Sequence, residues 1–298
     1  MRILISGAGG FIGGALCAEL RRSGHDLVSL TRGEPAAGAV HWNPSSGELD
    51  PAAIEGFDAV FHLAGEGIGD RRWNESHKAR VKDSRVQGTT LLARTLADLE
   101  SPPSVLLSAA AIGYYGDRGD ELLEESAPAG GGFLASVVEA WEEATGPAQK
   151  AGIRVVTMRS GLVLDPSGGV LRRQLFPFRL GLGGRLGSGR QYWSWITLED
   201  EIRAMLHLLR ADLSGPVNLT APNHVTNAEF TAALAGALSR PGLLLVPATA
   251  LELVLGKEMA HEMLLFSQRV VPKRLEESGF VWHHPELQGA LRALLAKG

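Results

Sequence analysis

Short apolar runs alternate with amphipathic stretches along the first half of the chain. The apolar run Arg2–Ser6 ends in glycines, and helical spacing follows over Phe11–Ser23. The same alternation continues with strands at Asp26–Leu30, Asp58–Leu63, Ser104–Ser108 and Arg154–Arg159, and with helices at about Glu75–Leu99 and at Phe133–Ala151. It predicts an α/β fold, a Rossmann doubly wound parallel sheet.

The pattern changes after about Leu164. Residues 165–190 are rich in Gly, Arg and Leu, and the pattern from Pro247 onward is mostly helical. Between these segments we predict strands at Tyr192–Thr197 and Val217–Leu219 and a helix at about Leu198–Ala211. We therefore expect a smaller, mainly helical C-terminal domain beside the Rossmann domain. The predicted Rossmann domain is 1–164 plus about 191–222, and the predicted substrate or C-terminal domain is about 165–190 plus 223–298.

The composition narrows the class of protein. The chain has 298 residues, 45% of them hydrophobic and 21% charged, with a formal net charge of -4 and a single cysteine. The basic residues are dispersed, so no tract predicts a nucleic-acid or membrane partner. No apolar run reaches the roughly 18 residues of a spanning helix, and the N-terminus has no signal-peptide pattern. We expect a cytoplasmic protein whose oligomeric state the sequence leaves open.

The turn after the first strand has the pattern of a phosphate-binding loop. Residues 6–13 read SGAGGFIG, which spaces Gly7, Gly10 and Gly13 as GxxGxxG. Such a loop lets the backbone approach a pyrophosphate, and the N-terminus of the following helix supplies N–H groups and a positive dipole end. The pattern predicts a dinucleotide at these glycines and at Phe11 and Ile12; the alternative is a plain glycine-rich turn.

The end of the second strand distinguishes between two cofactors. An acidic residue there would bind the ribose 2′-hydroxyl of NAD. This chain has Thr31 and Arg32 instead, and an arginine can pair with a 2′-phosphate. We therefore predict NADP(H) as the cofactor; a solvated surface arginine is the alternative.

Several motifs, in order along the chain, resemble the extended short-chain dehydrogenase/reductases of the NAD(P)-dependent epimerase/dehydratase superfamily. They are SGAGGFIGGAL at 6–16, HLAG at 62–65, SRVQGT at 84–89, RSGLVL at 159–164 and SWITLED at 194–200. Further stretches resemble the branch named epimerase family protein, whose C-terminal domain has no assigned function: AGEG at 64–67 with RW at 72–73, IGYYG at 112–116, FRLGLGGRLGSG at 178–189 and SQRVVPKR at 267–274. Besides Thr31 and Arg32, the resemblance implies cofactor contacts at Leu63, Ala64, Gly65, Arg80, Arg85 and Val163.

The catalytic pair of that superfamily is missing from this sequence. Its enzymes place Tyr and Lys as YxxxK on one helix face, where the ammonium lowers the pKa of the phenol. None of the three tyrosines, Tyr114, Tyr115 and Tyr192, has a lysine four residues later. Phe133 and Val137 stand at the positions expected for the pair, and neither side chain can transfer a proton.

Two interpretations of this absence stay open. Other groups could carry the chemistry: Tyr114 or Tyr115, Glu66, or the pair Glu124 and Glu125. The protein would then be an NADP(H)-dependent oxidoreductase or epimerase of unknown small-molecule substrate. Alternatively, it binds NADP(H) without turnover, as a sensor or regulator. Packing of the tyrosines, with satisfied hydroxyls, is the alternative to a catalytic role.

Residues 178–195 combine glycines, arginines and tryptophans, which suits a small-molecule pocket. The alternative is that the tryptophans pack between the two predicted domains and stabilise them. The histidines have no recognisable ligand spacing, so we expect no metal site. The candidate substrate-pocket residues are Glu66, Arg72, Trp73, Arg190 and Trp193.

Overall fold

A computed structural model describes residues 1–296 of the chain. Two compact units can be distinguished. Unit 1 comprises residues 1–110, 137–159 and 202–217, and unit 2 comprises residues 111–136, 160–201 and the chain from residue 218. Within residues 1–296, no helix has the length and apolar character needed to cross a membrane.

The first 111 residues alternate strands and helices, as the sequence pattern predicts. The elements are β1 (Arg2–Ser6), α1 (Phe11–Arg22), β2 (Asp26–Thr31), β3 (Ala39–Asn43), β4 (Glu48–Leu49), β5 (Ala59–His62), α2 (Glu75–Ala97) and β6 (Val105–Ala111). Strands β3 and β4 are not among the predicted elements. Strand β3 carries the buried Trp42, which packs in the same core as Leu4 and Val60.

The next part of the chain runs to residue 219. Its elements are β7 (Leu122–Leu123), α3 (Phe133–Glu143), α4 (Gly146–Lys150), β8 (Arg154–Ser160), β9 (Leu162–Asp165), α5 (Gly169–Arg179), β10 (Gly184–Leu186), β11 (Tyr192–Trp193), β12 (Trp195–Thr197), α6 (Leu198–Arg210) and β13 (Gly215–Leu219). The helix predicted over Phe133–Ala151 is therefore two helices. The break falls just before Gly146 and Pro147, because proline lacks the N–H that would continue a helix.

The last part of the described chain is mainly helical, as predicted. Its elements are β14 (Val225–Thr226), α7 (Asn227–Ala237), β15 (Leu244–Val246), α8 (Ala248–Leu255), α9 (Lys257–Ala260), a π-helical turn at His261–Leu265, β16 (Arg269–Val270), α10 (Lys273–Glu277) and α11 (Leu287–Ala296). Helix α7 begins with a capping box, in which Thr226 and Glu229 each bond to the backbone N–H of the other.

An eight-stranded sheet in the order β13-β8-β6-β5-β1-β2-β3-β4 dominates unit 1. Strand β1 pairs in parallel with both β2 and β5, so the chain order reverses on either side of β1. This reversal is the topological switch point at which doubly wound sheets bind ligands. The predicted Rossmann fold is confirmed, and its core includes the fully buried Leu4, Val60 and Leu106.

Unit 2 contains several two-stranded pairings. Strand β9 pairs in parallel with β12, β10 with β15, and β7 with β16, while β11 pairs antiparallel with β14. Its core gathers Trp195, Phe230 and Leu171. The division differs from the predicted domains, because the pairing of β12 with β9 keeps residues 191–201 in unit 2. Residues 111–136 and 160–164 also belong to unit 2 rather than to the Rossmann unit.

Candidate functional site

The glycine loop of unit 1 needs its glycines for two physical reasons. Gly7 has a φ of +74°, and a Cβ atom there would lie 2.7 Å from the carbonyl carbon of Leu63. A Cβ atom on Gly13 would lie 2.1 Å from the carbonyl oxygen of Gly7. Both distances are far below van der Waals contact, so the turn between β1 and α1 requires hydrogen at both positions.

The N-terminus of α1 is open to an anionic ligand. Gly10 precedes the helix and donates its N–H to the carbonyl of Gly7 at 2.9 Å. No side chain caps this helix, and its first turn holds no acidic residue. Gly9 and Gly10 are exposed, while Phe11 is half-buried. Free N–H groups and the positive end of the helix dipole fit a pyrophosphate at this turn.

A buried network ties the glycine loop to the next strand and helix. The Ser6 hydroxyl oxygen lies 2.7 Å from Nδ1 of His62, and Nε2 of His62 lies 2.9 Å from Oγ1 of Thr89. Ser6 Oγ also accepts the backbone N–H groups of Leu63, at 3.1 Å, and Ala64, at 3.3 Å. The network holds the Leu63–Ala64 backbone where it faces Gly7.

Burial keeps the His62 ring neutral. The residue is 0% exposed and stacks edge-on against Trp42 at 5.9 Å between ring centroids. Loss of hydration lowers the pKa of His62 to about 4. Because Ser6 already accepts two N–H groups, its hydroxyl proton points to Nδ1, and the ring proton is on Nε2 beside Thr89.

Arg85 supports the loop that follows β5. Its Nη1 atom donates to the carbonyls of Glu66 and Val81, at 3.0 Å each. The guanidinium packs so closely beneath Gly65 that a Cβ atom there would lie 3.1 Å from Cζ of Arg85. It also lies over the Trp141 ring, 5.0 Å from its centroid. The pKa of this guanidinium falls to about 10, because burial outweighs the attraction of the Glu66 carboxylate. These contacts of the guanidinium, to backbone carbonyls and to an aromatic ring, are structural.

The other candidate residues near this loop are exposed or half-buried. Arg80 is exposed and places Nε 3.8 Å from the Glu66 carboxylate. Arg72 is exposed, and Trp73 is half-buried and donates Nε1–H to the carbonyl of Ile68 at 3.0 Å. Unit 1 thus holds Glu66, Arg72, Trp73 and Arg80 around one loop. The remaining substrate-pocket candidates, Arg190 and Trp193, belong to unit 2.

Thr31 and Arg32 lie at the carboxyl end of the second strand, as predicted. Thr31 is the last residue of β2, and its Oγ1 accepts the N–H of Gly33 at 3.3 Å. Arg32 follows directly and is exposed. A guanidinium there is accessible to a phosphate group beyond the carboxyl end of β2.

The two paired tyrosines have different environments in unit 2. Tyr115 is 0% exposed and donates its hydroxyl to Oδ1 of Asn218 at 2.7 Å. Its ring lies edge-on to that of Tyr114, 5.4 Å between centroids, and Tyr114 is half-buried. The environment of Tyr115 favours packing with a satisfied hydroxyl.

The remaining candidates of unit 2 are chiefly packed residues. Val163 is buried in β9, opposite Ile196 of β12. Trp193 is 4% exposed, packs on Phe230 and donates Nε1–H to the carbonyl of Leu264 at 3.3 Å. This environment favours packing over ligand contact for Trp193, within the core of unit 2. Arg190 is exposed.

The acidic candidates after β7 are also engaged. Glu124 accepts a hydrogen bond from Nζ of Lys273 at 2.8 Å. Glu125 is buried and accepts the backbone N–H groups of Asn218, at 3.1 Å, and Arg274, at 3.2 Å. Burial raises the pKa of Glu125 against the lowering effect of these hydrogen bonds.

Two carboxyl groups, Glu201 and Glu262, are not among the predicted site residues. Glu201, in α6, is 0% exposed and places Oε1 2.5 Å from the Ser160 hydroxyl, and burial raises its pKa to about 8. Glu262 accepts the backbone N–H groups of Phe133, at 2.8 Å, and Leu134, at 2.7 Å, and so caps α3. In sequence Glu201 looks like an ordinary acid in a first helical turn, and Glu262 lies far from the helix that it caps.

No metal centre accompanies these groups in the described part of the chain. Residues 1–296 contain no cluster of three or more His, Cys, Asp or Glu side chains that could hold an ion.

The strand order, the switch point beside β1 and the glycine loop define a Rossmann-type α/β protein. Residues 3–220 match the NAD dependent epimerase/dehydratase family, and residues 246–294 match a domain of unknown function, DUF1731. The chain belongs to the NAD dependent epimerase/dehydratase family.

Relatives extend over nearly the whole chain. An epimerase family protein of Mycobacterium bovis is 47% identical over 291 residues, which cover 97% of this chain and 96% of that protein. The human epimerase family protein SDR39U1, crystallised with NADPH, has a TM-score of 0.91 and 35% identity, and the match covers 99% of both chains. A UDP-glucose 4-epimerase from Thermotoga maritima, solved with UDP-glucose, shares the fold at a TM-score of 0.78 and 16% identity, over 100% of this chain and 99% of that one.

Proposed function

We propose that this protein binds NADP(H) on unit 1. The main support is the turn between β1 and α1, where Gly7 and Gly13 leave no space for a Cβ atom and the helix N-terminus is uncapped. In this proposal the pyrophosphate is bound at Gly7, Gly10, Phe11, Ile12 and Gly13, with Leu63, Ala64 and Gly65 as neighbouring backbone. Arg80 is a further proposed contact, and Arg85 acts by supporting Gly65 and Glu66. Val163 belongs to unit 2 and stays a prediction from the family resemblance.

The preference for NADP(H) over NAD(H) rests on the end of β2. Thr31 and the exposed Arg32 occupy the place where an acidic residue would bind the 2′-hydroxyl of NAD. The complex of human SDR39U1 with NADPH agrees with this choice of cofactor. An exposed arginine pairs with a 2′-phosphate through charge-assisted hydrogen bonds, and these are lost with NADH.

Fluorescence titration of the purified protein with NADPH and NADH tests the cofactor. We expect tighter binding of NADPH, and we expect Arg32→Glu to reverse the preference by repelling the 2′-phosphate. Arg94→Glu, which changes an exposed arginine on α2, is the matched control and should bind both cofactors like the wild type. Equal affinity of the wild type for NADPH and NADH would exclude Arg32 as the specificity residue.

We further propose that the protein is an oxidoreductase or epimerase acting on a small molecule. Bound NADP(H) would supply the hydride chemistry, and the protein would bind and orient the substrate. Glu66, Arg72 and Trp73, around one loop of unit 1, are the proposed substrate-binding residues, since each is at least partly exposed. Arg190 of unit 2 is exposed and is a separate candidate. Tyr114 is the stronger tyrosine candidate for proton transfer, because the Tyr115 hydroxyl is buried against Asn218.

A non-catalytic NADP(H) sensor or regulator is the second candidate function. The observation that favours it is the sequence of α3, where Phe133 and Val137 replace the Tyr-Lys pair of the superfamily. A screen of carbonyl compounds and sugar nucleotides, followed by NADPH absorbance, distinguishes the two. Turnover that Tyr114→Phe abolishes, while NADPH binding persists, would establish the enzyme. Binding of NADPH without turnover of any compound would favour the sensor.

A further inference from the structure

One surface of unit 2 combines exposed leucines with arginines. We define the leucine–arginine face by Leu180, Leu182, Leu243, Leu245, Arg185 and Arg240. Leu243 is 89% exposed, Leu180 and Leu182 are 58% exposed, and Leu245 is 50% exposed. Large apolar side chains exposed together on a folded domain mark an interaction surface.

Strand pairing brings these residues together. In the parallel pair β10 and β15, Arg185 lies opposite Leu245, so both side chains leave the same side of the pair. Leu243 directly precedes β15, two residues before Leu245. The segments that precede β10 and β15 also approach each other, because a Cβ atom on Gly181 would lie 3.6 Å from the Pro241 ring. This contact brings the chain at Gly181, which Leu180 and Leu182 flank, next to the chain at Pro241, which follows Arg240.

The end of α5 extends the apolar part of this surface. Phe176 and Leu180 are four residues apart in and just after α5, so they lie on one side of the helix. Phe176 is 72% exposed. The apolar surface thus continues from the strand pair onto the adjoining helix.

The two segments that form this surface carry arginines and no acids. Residues 166–198 and 230–251 contain six arginines and no Asp or Glu. Within residues 1–296, Arg179, Arg185 and Arg240 form no ion pair. Along the sequence the basic residues are dispersed, and that pattern predicts no membrane partner. The fold makes a local basic surface by pairing β10 with β15, although the net charge of the chain is negative.

We propose that the leucine–arginine face binds peripherally to an anionic lipid surface. Aliphatic side chains that enter the headgroup region, surrounded by guanidinium groups that pair with lipid phosphates and carboxylates, suit such an interface. A second copy of the chain fits less well, because the arginines of the two faces would repel one another. Nucleic acid also fits less well, because leucines neither stack on bases nor pair with phosphates.

Co-sedimentation of the full chain with vesicles tests this proposal. One set of vesicles contains phosphatidylcholine alone, and the other contains phosphatidylserine in addition. We expect binding to the second set only, weakened by salt. The double variants Leu243→Ser/Leu245→Ser and Arg185→Glu/Arg240→Glu should each lower the partition coefficient roughly tenfold or more.

Matched controls separate this face from general surface effects. Leu253→Ser changes a 79% exposed leucine on α8, and Arg94→Glu changes an exposed arginine on α2. Both should bind the anionic vesicles like the wild type, and circular dichroism should show every variant folded. Unchanged binding by the folded double variants would overturn the proposal. So would a stable dimer that the leucine variant dissociates, or a preference for oligonucleotides over anionic vesicles.

Discussion

The Ser6 hydroxyl lies 2.7 Å from Nδ1 of His62 and thereby joins the last residues of β1 and β5. These two strands pair directly at the switch point of the sheet. The same hydroxyl accepts the N–H groups of Leu63 and Ala64, whose backbone faces Gly7. A single side chain therefore fixes the spacing between the glycine loop and the segment proposed to lie beneath the cofactor.

Ser6→Ala should destabilise the protein by about 2 kcal/mol and weaken NADPH binding. The substitution leaves the buried Nδ1 of His62 and the backbone N–H of Ala64 without their partner, and each orphaned group costs free energy. The N–H of Leu63 keeps its bond to the Ser6 carbonyl at 3.2 Å. Urea denaturation measures the stability and fluorescence titration the affinity. Ser46→Ala, at an exposed serine, should stay within about 0.5 kcal/mol of the wild type. Equal stability of both variants would show that the Ser6–His62 network contributes nothing to the free energy of unfolding.

Gly13→Ala should abolish NADPH binding. The new methyl group would lie 2.1 Å from the carbonyl oxygen of Gly7, so the first turn of α1 must shift. Gly9→Ala is a control in the same loop, because a Cβ atom there meets nothing within 4 Å. We expect Gly9→Ala to bind NADPH normally in a fluorescence titration. Retained affinity in Gly13→Ala would contradict the proposed binding loop.

The sequence predicts the elements of unit 1 because their patterns are local. Strand β1 and helix α1 follow from a run of apolar residues, a glycine loop and helical spacing. The need for Gly7 and Gly13 follows from the same loop. Helix α7 also has a local signal in the sequence, since Thr226 and Glu229 have the spacing of a capping box.

The roles of single side chains depend on contacts that no local pattern contains. Arg85 has the position of a cofactor contact, but Gly65 and Trp141 enclose its guanidinium from distant parts of the chain. Tyr115 shares a motif with Tyr114, yet the position of Asn218 decides that only Tyr115 is fully buried. Such pairings are set by tertiary packing, so residue type alone could not separate these roles.

Acidification should destabilise the protein through His62. Its pKa is about 4 in the folded protein, against the ordinary value of 6.5. Between these two pH values the unfolded chain therefore binds a proton at this histidine, and the folded chain does not. Stability is therefore full above pH 6.5 and falls as the pH drops from 6.5 toward 4, by about 3 kcal/mol in total. Urea denaturation across this range should show a shallower slope in His62→Gln than in the wild type. The same slope in both proteins would exclude His62 as the cause of the lost stability at low pH.

Glu201 should produce the opposite trend at higher pH. Its pKa rises to about 8 in the folded protein from an ordinary value of 4.5, so the folded chain keeps a proton that the unfolded chain releases. Stability should therefore decline as the pH rises from 4.5 to 8, and the neutral amide of Glu201→Gln should remove this decline. We expect the variant to be more stable than the wild type at pH 8 by about 4 kcal/mol, and the difference to vanish near pH 4.5. Glu139→Gln, at an exposed position of α3, should show no such gain.

A Glu201→Gln variant that is less stable than the wild type at pH 8 would contradict this prediction. It would mean that the buried group is ionised and that its hydrogen bond to Ser160 stabilises the charge.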